Sequence, residues 1–192
     1  MSDTLYKRVV IFASGSGSNA QRLMEYFQDH PQIRIVALFS NNPAAYALQR
    51  ARNFNLPTHV FNREQFRDGT VLAQVKAYQP DLVVLAGFLW LVPSAFIQAF
   101  PNQIINIHPG LLPKYGGKGM HGQHVHQAVL DNKEKESGIT IHYVNEHYDQ
   151  GATIYQQLCP VQENDTAEIL ANRVLQLEHE HFPRVVEQLL LR

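Results

Sequence analysis

The segment IINIHPGLLPKY (104–115) is apolar where a buried strand should be, yet Asn106 and His108 interrupt it at its far end. Residues two apart on a strand point the same way, so an amide and an imidazole share one face there. Imidazole is the side chain that changes charge near neutral pH, provided a partner fixes its state. NEHYDQGATI offers such a partner in Asp149, on a loop between two late strand-like runs. Either polar strand residue alone reads as a satisfied core hydrogen bond, and a loop acid ahead of a Gly as a turn former. Asn106 and His108 together, followed by the Pro-rich turn HPGLLPKY, point instead to a functional face where the strand emerges into a crevice.

A second stretch, GSGSNA (15–20), has the types for anion binding. It fits the G-x-G-x-x-G/A spacing and sits between a strand and a helix, where that fingerprint belongs. Gly15 and Gly17 let the backbone approach an anion, and the helix start supplies N–H groups without partners. Ser18 and Asn19 add side-chain donors. A dinucleotide site also wants an acid about 20 residues on, to hold ribose hydroxyls. That position reads Ser40-Asn41-Asn42, which leaves a single phosphate as the simpler ligand and a plain tight turn as the alternative.

These residues need a scaffold, and the chain alternates short β-branched runs with helical patterns, as a parallel α/β sheet does. RVVIFA (8–13), IRIVALF (33–39), THVF (58–61), DLVVLA (81–86) and IINIH (104–108) are the runs of the first part. Between them, one helix carries Leu23, Met24 and Phe27, an Ala-rich one spans 44–54 and another 70–78. GITIHYV (138–144) and ATIYQQL (152–158) lie close in sequence and predict an antiparallel edge near 138–158. The last helix is expected to start near Asp165, which has capping-box spacing to Glu168, and to kink or break at Pro183. The expected fold is α/β, a single domain with a mostly parallel, twisted, Rossmann-like sheet of about seven strands flanked by helices.

Bulk properties narrow the function. A chain of 192 residues suits one domain. Sixteen basic residues against 17 acidic give a net charge of −1, which argues against nucleic acid and anionic membrane as partners. No apolar run approaches the ~20 residues of a membrane span. The N-terminal MSDTLYKRVVIFASGSG has too few apolar residues for a signal peptide. A single cysteine, Cys159, suits a reducing compartment, so a cytoplasmic protein is expected.

IINIHPGLLPKY, SGSGSN, LVVLAGFLWLV and YDQGATI together resemble the glycinamide ribonucleotide formyltransferase family, over essentially the whole chain. That resemblance implies transfer of a formyl group from the co-substrate 10-formyltetrahydrofolate to the amine of 5-phosphoribosylglycinamide, in purine synthesis. It implies that Asn106 and His108 bind the oxyanion of the tetrahedral intermediate, that His108 donates a proton, and that Asp149 raises the pKa of His108. It assigns the substrate phosphate to Gly17, Ser18 and Asn19, and the glycinamide and ribose region to Glu178. Folate would lie along Leu89, Trp90, Leu91 and Val92, beside Asn106, and against Asn145, Glu146, His147, Tyr148 and Asp149, with Arg63 reaching its tail. No metal is implied. One domain over 1–192 would divide into a phosphate-binding half, about 1–100, and a folate-binding and catalytic half, about 81–192.

The chain departs from the family pattern at two places: Gly110 stands where many relatives have Ser, and KYGGKGMHGQHVHQAV is longer than the usual connection. His121, His124 and His126 fall in that stretch, but no Cys or acid completes a metal set. His126 is expected at a helix start, His124 in the loop before it, and His142 facing the site. Phe88 and Trp90 read equally well as plain core. Two other functions compete. Another formyl-folate protein, such as a methionyl-tRNA formyltransferase or a formyltetrahydrofolate hydrolase, would need a C-terminal or N-terminal extension that is not expected here. A non-catalytic nucleotide-binding module would use only the Gly loop and leave Asn106, His108 and Asp149 without a purpose.

Overall fold

The computed structural model describes residues 6–192, so the first five residues of the N-terminal stretch read above as too poor in apolar residues for a signal peptide lie outside it. The strands are β1 (Lys7–Phe12), β2 (Ile33–Ser40), β3 (Thr58–Val60), β4 (Leu82–Leu85), β5 (Ile104–His108), β6 (Glu136–Tyr143) and β7 (Thr153–Pro160). The helices are α1 (Ser18–Phe27), α2 (Tyr46–Asn53), α3 (Arg63–Arg67), α4 (Thr70–Ala77), α5 (Ser94–Ala99), α6 (Gln123–Asp131) and α7 (Ala167–Leu190). All seven strands join one sheet in the order β3-β2-β1-β4-β5-β6-β7. β1 to β5 run parallel, whereas β6 is antiparallel to β5 and β7 to β6.

Alternation along β1 shows why its run is continuously apolar. Val9 and Ile11 enter the core beneath α1, α2 and α7, while Val10 and Phe12 enter the opposite one. Both faces are covered, so neither set of positions can be polar. The second core is aromatic: Phe12 stacks on Phe39 at 5.2 Å between centroids and meets Phe61, Phe88 and Phe96 edge-on. Strand order reverses between β1 and β4, since the chain leaves β1 toward β2 and β3 and returns on the other side. Such a switch point opens a crevice beyond the carboxyl ends of the strands. The Gly loop follows β1 there, and Asn106 and His108 finish β5 beside it.

Several expectations are corrected. Thr166, not Asp165, caps α7: its hydroxyl accepts from the Ile169 N–H at 3.2 Å. Asp165 is drawn away by Arg173, whose Nη2 donates to its Oδ1 at 2.8 Å, and it also accepts from the Gln162 N–H. α7 runs through Pro183 without a break. Phe182, Val185, Val186 and Leu190 bury around that proline, and packing on both sides outweighs one missing helical hydrogen bond. His124 lies inside α6 rather than in the loop before it. α3 and α5 were not anticipated, being five and six residues long and too short for a periodic signal. No helix among the described residues is long and apolar enough to cross a membrane.

Candidate active site

β5 and β6 place the polar face. Their register sets Asn106 opposite His142 and His108 opposite Thr140. Directly opposed residues share a face, so the Asn106 amide meets His142 Nε2 at 3.2 Å. His142 Nδ1 faces the Tyr143 carbonyl at 2.8 Å, and a carbonyl can only accept, so that nitrogen carries the proton. With Nδ1 so engaged, an uncharged ring accepts one Asn106 N–H at Nε2, whereas an imidazolium directs its Nε2–H toward Asp149. The second N–H of that amide remains for a ligand.

Asp149 reaches between the two imidazoles. Its Oδ2 lies 3.6 Å from His108 Nδ1 and its Oδ1 3.5 Å from His142 Nε2. The Gly117 N–H donates to the same Oδ2 at 2.9 Å. Burial pushes the Asp149 carboxyl upward, but the His142 ring beside it, the His108 charge and the Gly117 N–H outweigh it, and its pKa falls below the usual range. Burial dominates at His108, only 3% exposed, and holds its pKa below that of a free imidazole. Asp149 and the Tyr115 carbonyl pull it back up without overcoming that burial. The resemblance implied a His108 raised by Asp149; the acid does raise it, yet desolvation is the larger effect. His108 Nε2–H donates to the Tyr115 carbonyl at 2.8 Å. Protonation at Nδ1 would turn its N–H toward Asp149, giving the imidazolium an acceptor on each side.

Backbone geometry permits this closeness. Asp149 and Tyr115 both adopt positive φ, 56° and 55°. A Cβ on Gly151 would lie 1.6 Å from the Tyr143 carbonyl oxygen, so the turn after Asp149 admits only glycine. At Gly110 a Cβ would meet the His108 ring at 3.2 Å and Val125 at 3.1 Å, so the missing Ser side chain gives that ring room. Thr140 ties the turn after β5 down, donating to the Gly110 carbonyl at 2.7 Å and accepting from the Leu112 N–H at 3.0 Å.

Gly15, Ser16, Ser18, Asn19 and Glu178, though not Gly17, line the same cleft of about 810 Å³ that Asn106, His108 and Asp149 line. Glu178 is 6% exposed and accepts from Asn19 Nδ2 at 2.7 Å. Burial raises its pKa to about 7, and the Asn19 hydrogen bond offsets only part of that. Asn19 Oδ1 and His126 Nδ1 are buried without a partner among the described residues. Orphaned polar atoms on a cleft wall suit a polar ligand. His126, also on that wall, is kept neutral by burial and the nearby His108, with a pKa lowered to about 4.

The residues expected along folate separate into two sets. Leu89 and Tyr148 line the cleft with Asn106 and Asp149. Trp90, Leu91, Val92, Arg63, Asn145, Glu146 and His147 do not. Val92 is core, and Trp90 packs beside Phe61 and Phe66 with the Arg63 guanidinium 4.4 Å over its ring. Asn145 accepts from the His147 N–H at 2.9 Å. Phe88 reaches both settings, lining the cleft while packing in the aromatic core. His126 and the Tyr115 carbonyl enter the site without having been assigned a part in it. His126 carried a signal, as the last member of the His-rich run His121, His124 and His126. Among the described residues no group of three or more His, Cys, Asp and Glu side chains gathers to hold a metal ion.

Residues 7–186 match the formyl transferase family. The chain is 40% identical over 187 residues to the chloroplastic phosphoribosylglycinamide formyltransferase of Arabidopsis thaliana, covering 94% of this chain but 64% of that one, less than two thirds of its length. It is 34% identical to the phosphoribosylglycinamide formyltransferase of Escherichia coli (strain K12), covering 93% of this chain and 84% of the relative. The crystal structure of phosphoribosylglycinamide formyltransferase from Brucella melitensis superposes with a TM-score of 0.87 at 37% identity, over 97% of each chain.

Proposed function

The chain belongs to the formyl transferase family, and from that membership we propose that it moves the formyl group of 10-formyltetrahydrofolate onto the amine of 5-phosphoribosylglycinamide. The products are formylglycinamide ribonucleotide and tetrahydrofolate, a step of purine synthesis. One observation carries the reading: a Gly-rich loop with a buried acid and an Asn-His-Asp cluster line one and the same cleft.

The roles follow from residue chemistry. The phosphate takes the N–H groups and side chains of Gly17, Ser18 and Asn19. Glu178, when ionised, meets the glycinamide and ribose end. The free amine attacks the formyl carbon, and its carbonyl electrons move to oxygen. Asn106 donates its spare N–H to that oxyanion, and His108 donates beside it. Collapse of the intermediate breaks the bond to the folate nitrogen, which takes a proton from His108, while the attacking nitrogen sheds its extra proton, which restores the imidazolium held by Asp149. Folate lies against Leu89 and the Tyr148–Asp149 turn, with Trp90, Leu91, Val92, Arg63 and the 145–147 segment in a supporting position. We take the chain to work as one domain, with phosphate bound by about residues 1–100 and folate by about 81–192. A cytoplasmic setting without nucleic acid suits the net charge of −1.

The test is folate release by purified protein, followed by absorbance, with and without glycinamide ribonucleotide. Release that requires the ribonucleotide is expected. Release without it would make the protein a hydrolase. No release by folded protein would leave a binding module.

A further inference from the structure

The Gly loop is held from behind. The Gly15 carbonyl accepts from the Ala47 N–H at 3.1 Å and the Gly17 carbonyl from Gln21 at 2.8 Å. Between them, the Ser16 carbonyl accepts from Arg50 Nε at 2.8 Å. The Ser14 carbonyl takes the Asn42 amide at 3.3 Å. Four consecutive carbonyls are thus tied off, while the N–H groups of Ser16, Gly17 and Ser18 meet no protein acceptor among the described residues. A run of N–H groups freed in this way is an anion-binding concavity. α2 presses directly on it: a Cβ at Gly17 would stand 2.5 Å from the Ala47 Cβ.

Arg50 is the one charged member of this clamp. Its guanidinium lies 4.8 Å from the centre of the Tyr46 ring, on its own helix, which steadies the donor that holds Ser16. We propose that Arg50 is a positioning residue for the ribonucleotide phosphate, turning the Ser16 carbonyl away from the cleft and setting a positive charge behind the loop. Without it the Ser16–Gly17 peptide is free to rotate and present an oxygen to the phosphate. This inference rests on the phosphate assignment above and adds to it a residue outside the loop.

Arg50→Ala in the full-length protein is the test. Losing a charge-assisted hydrogen bond should raise the KM for glycinamide ribonucleotide about ten- to hundredfold. The kcat and the KM for 10-formyltetrahydrofolate should stay within about twofold, and inhibition by inorganic phosphate should weaken in parallel. Arg50→Lys, which can donate but lacks the planar fork, should recover part of the loss. A purely structural Arg50 would lower kcat or active fraction and leave the KM alone, and that result overturns the proposal. Should Arg50→Ala not fold, Arg50→Met keeps the apolar stem without the donor and serves the same comparison. Wild-type protein that turns over but is untouched by phosphate would refute the phosphate assignment itself, and Arg50 with it. Wild-type that phosphate does inhibit, beside an Arg50→Ala of unchanged KM, would refute Arg50 alone.

Discussion

Glu178→Gln isolates the cost of burying a carboxylate on the cleft wall. Burial raises its pKa from 4.5 to about 7 in the folded protein. A group protonated more readily when folded binds extra protons in the native state, so stability falls as pH rises between those two values. At 1.36 kcal/mol per pH unit, the full penalty above pH 7 is about 3 kcal/mol. Glutamine keeps the shape and an oxygen for Asn19 Nδ2, which lies 2.7 Å from the carboxylate in the wild type, but has nothing to ionise. Urea unfolding of both proteins from pH 4 to pH 8.5 should therefore give a difference near zero at the acid end. That difference should widen in favour of Glu178→Gln, to about 3 kcal/mol above pH 7. The same variant should bind the ribonucleotide less well at pH 8, because the ionised acid is what meets its amine end. A stability difference that is flat across this range, or that favours the wild type at high pH, would refute the burial argument.

Asn106→Ala removes one donor to the oxyanion and should lower kcat by ~10²–10³ with little change in either KM, read from steady-state rates. Asp149→Asn removes the charge that opposes burial at His108, so the limb of the pH–rate profile that titrates with His108 should move to lower pH; an unmoved profile would show that the acid does not govern His108. Gly17→Ala places a Cβ 2.5 Å from Ala47 at a φ of +73°. Strain and overlap together should cost ~1–3 kcal/mol, seen as a Tm lowered by roughly 2–4 °C per kcal/mol, along with weaker ribonucleotide binding.

The strands were legible because burial on both faces forces apolar runs rich in β-branched residues: β1 and β4 have them, and in β2 and β5 the run is broken only by Arg34 and by the polar positions Asn106 and His108. Short elements were not. α3 has a capping box between Asn62 and Gln65, a local signal that five residues could not support with periodicity. At α7, Asp165 and Thr166 were both competent caps. The choice fell to Arg173, two turns along, which captured Asp165 and left the helix end to Thr166. Asn106 and His108 could be picked out as candidates by type and by place toward the end of a strand, and Asp149 by type in the loop between two strands. The contact between Asn106 and His142 could not be, because it depends on the register of β6 against β5. Likewise, the carbonyl that meets His108 belongs to Tyr115, and a backbone atom leaves no mark on residue type.

That carbonyl bears on how the site can act. His108 faces Tyr115 through Nε2 and Asp149 through Nδ1, so both nitrogens already look at acceptors. Donation to a substrate atom requires one of these contacts to be exchanged. The ion pair with Asp149 is the stronger of the two once the ring is protonated, because both partners are then charged. The neutral carbonyl is therefore the contact to give way. It lies on a loop that lines the cleft at Gly117 and Gly119, both at positive φ, 101° and 84°. Substrate entering along that wall would meet the backbone whose small shift frees Nε2, while Asp149 keeps the ring oriented. If His108 is the proton donor proposed above, donation and cleft occupancy are coupled through the hydrogen bond to Tyr115, just ahead of the glycines that leave this loop freest to turn.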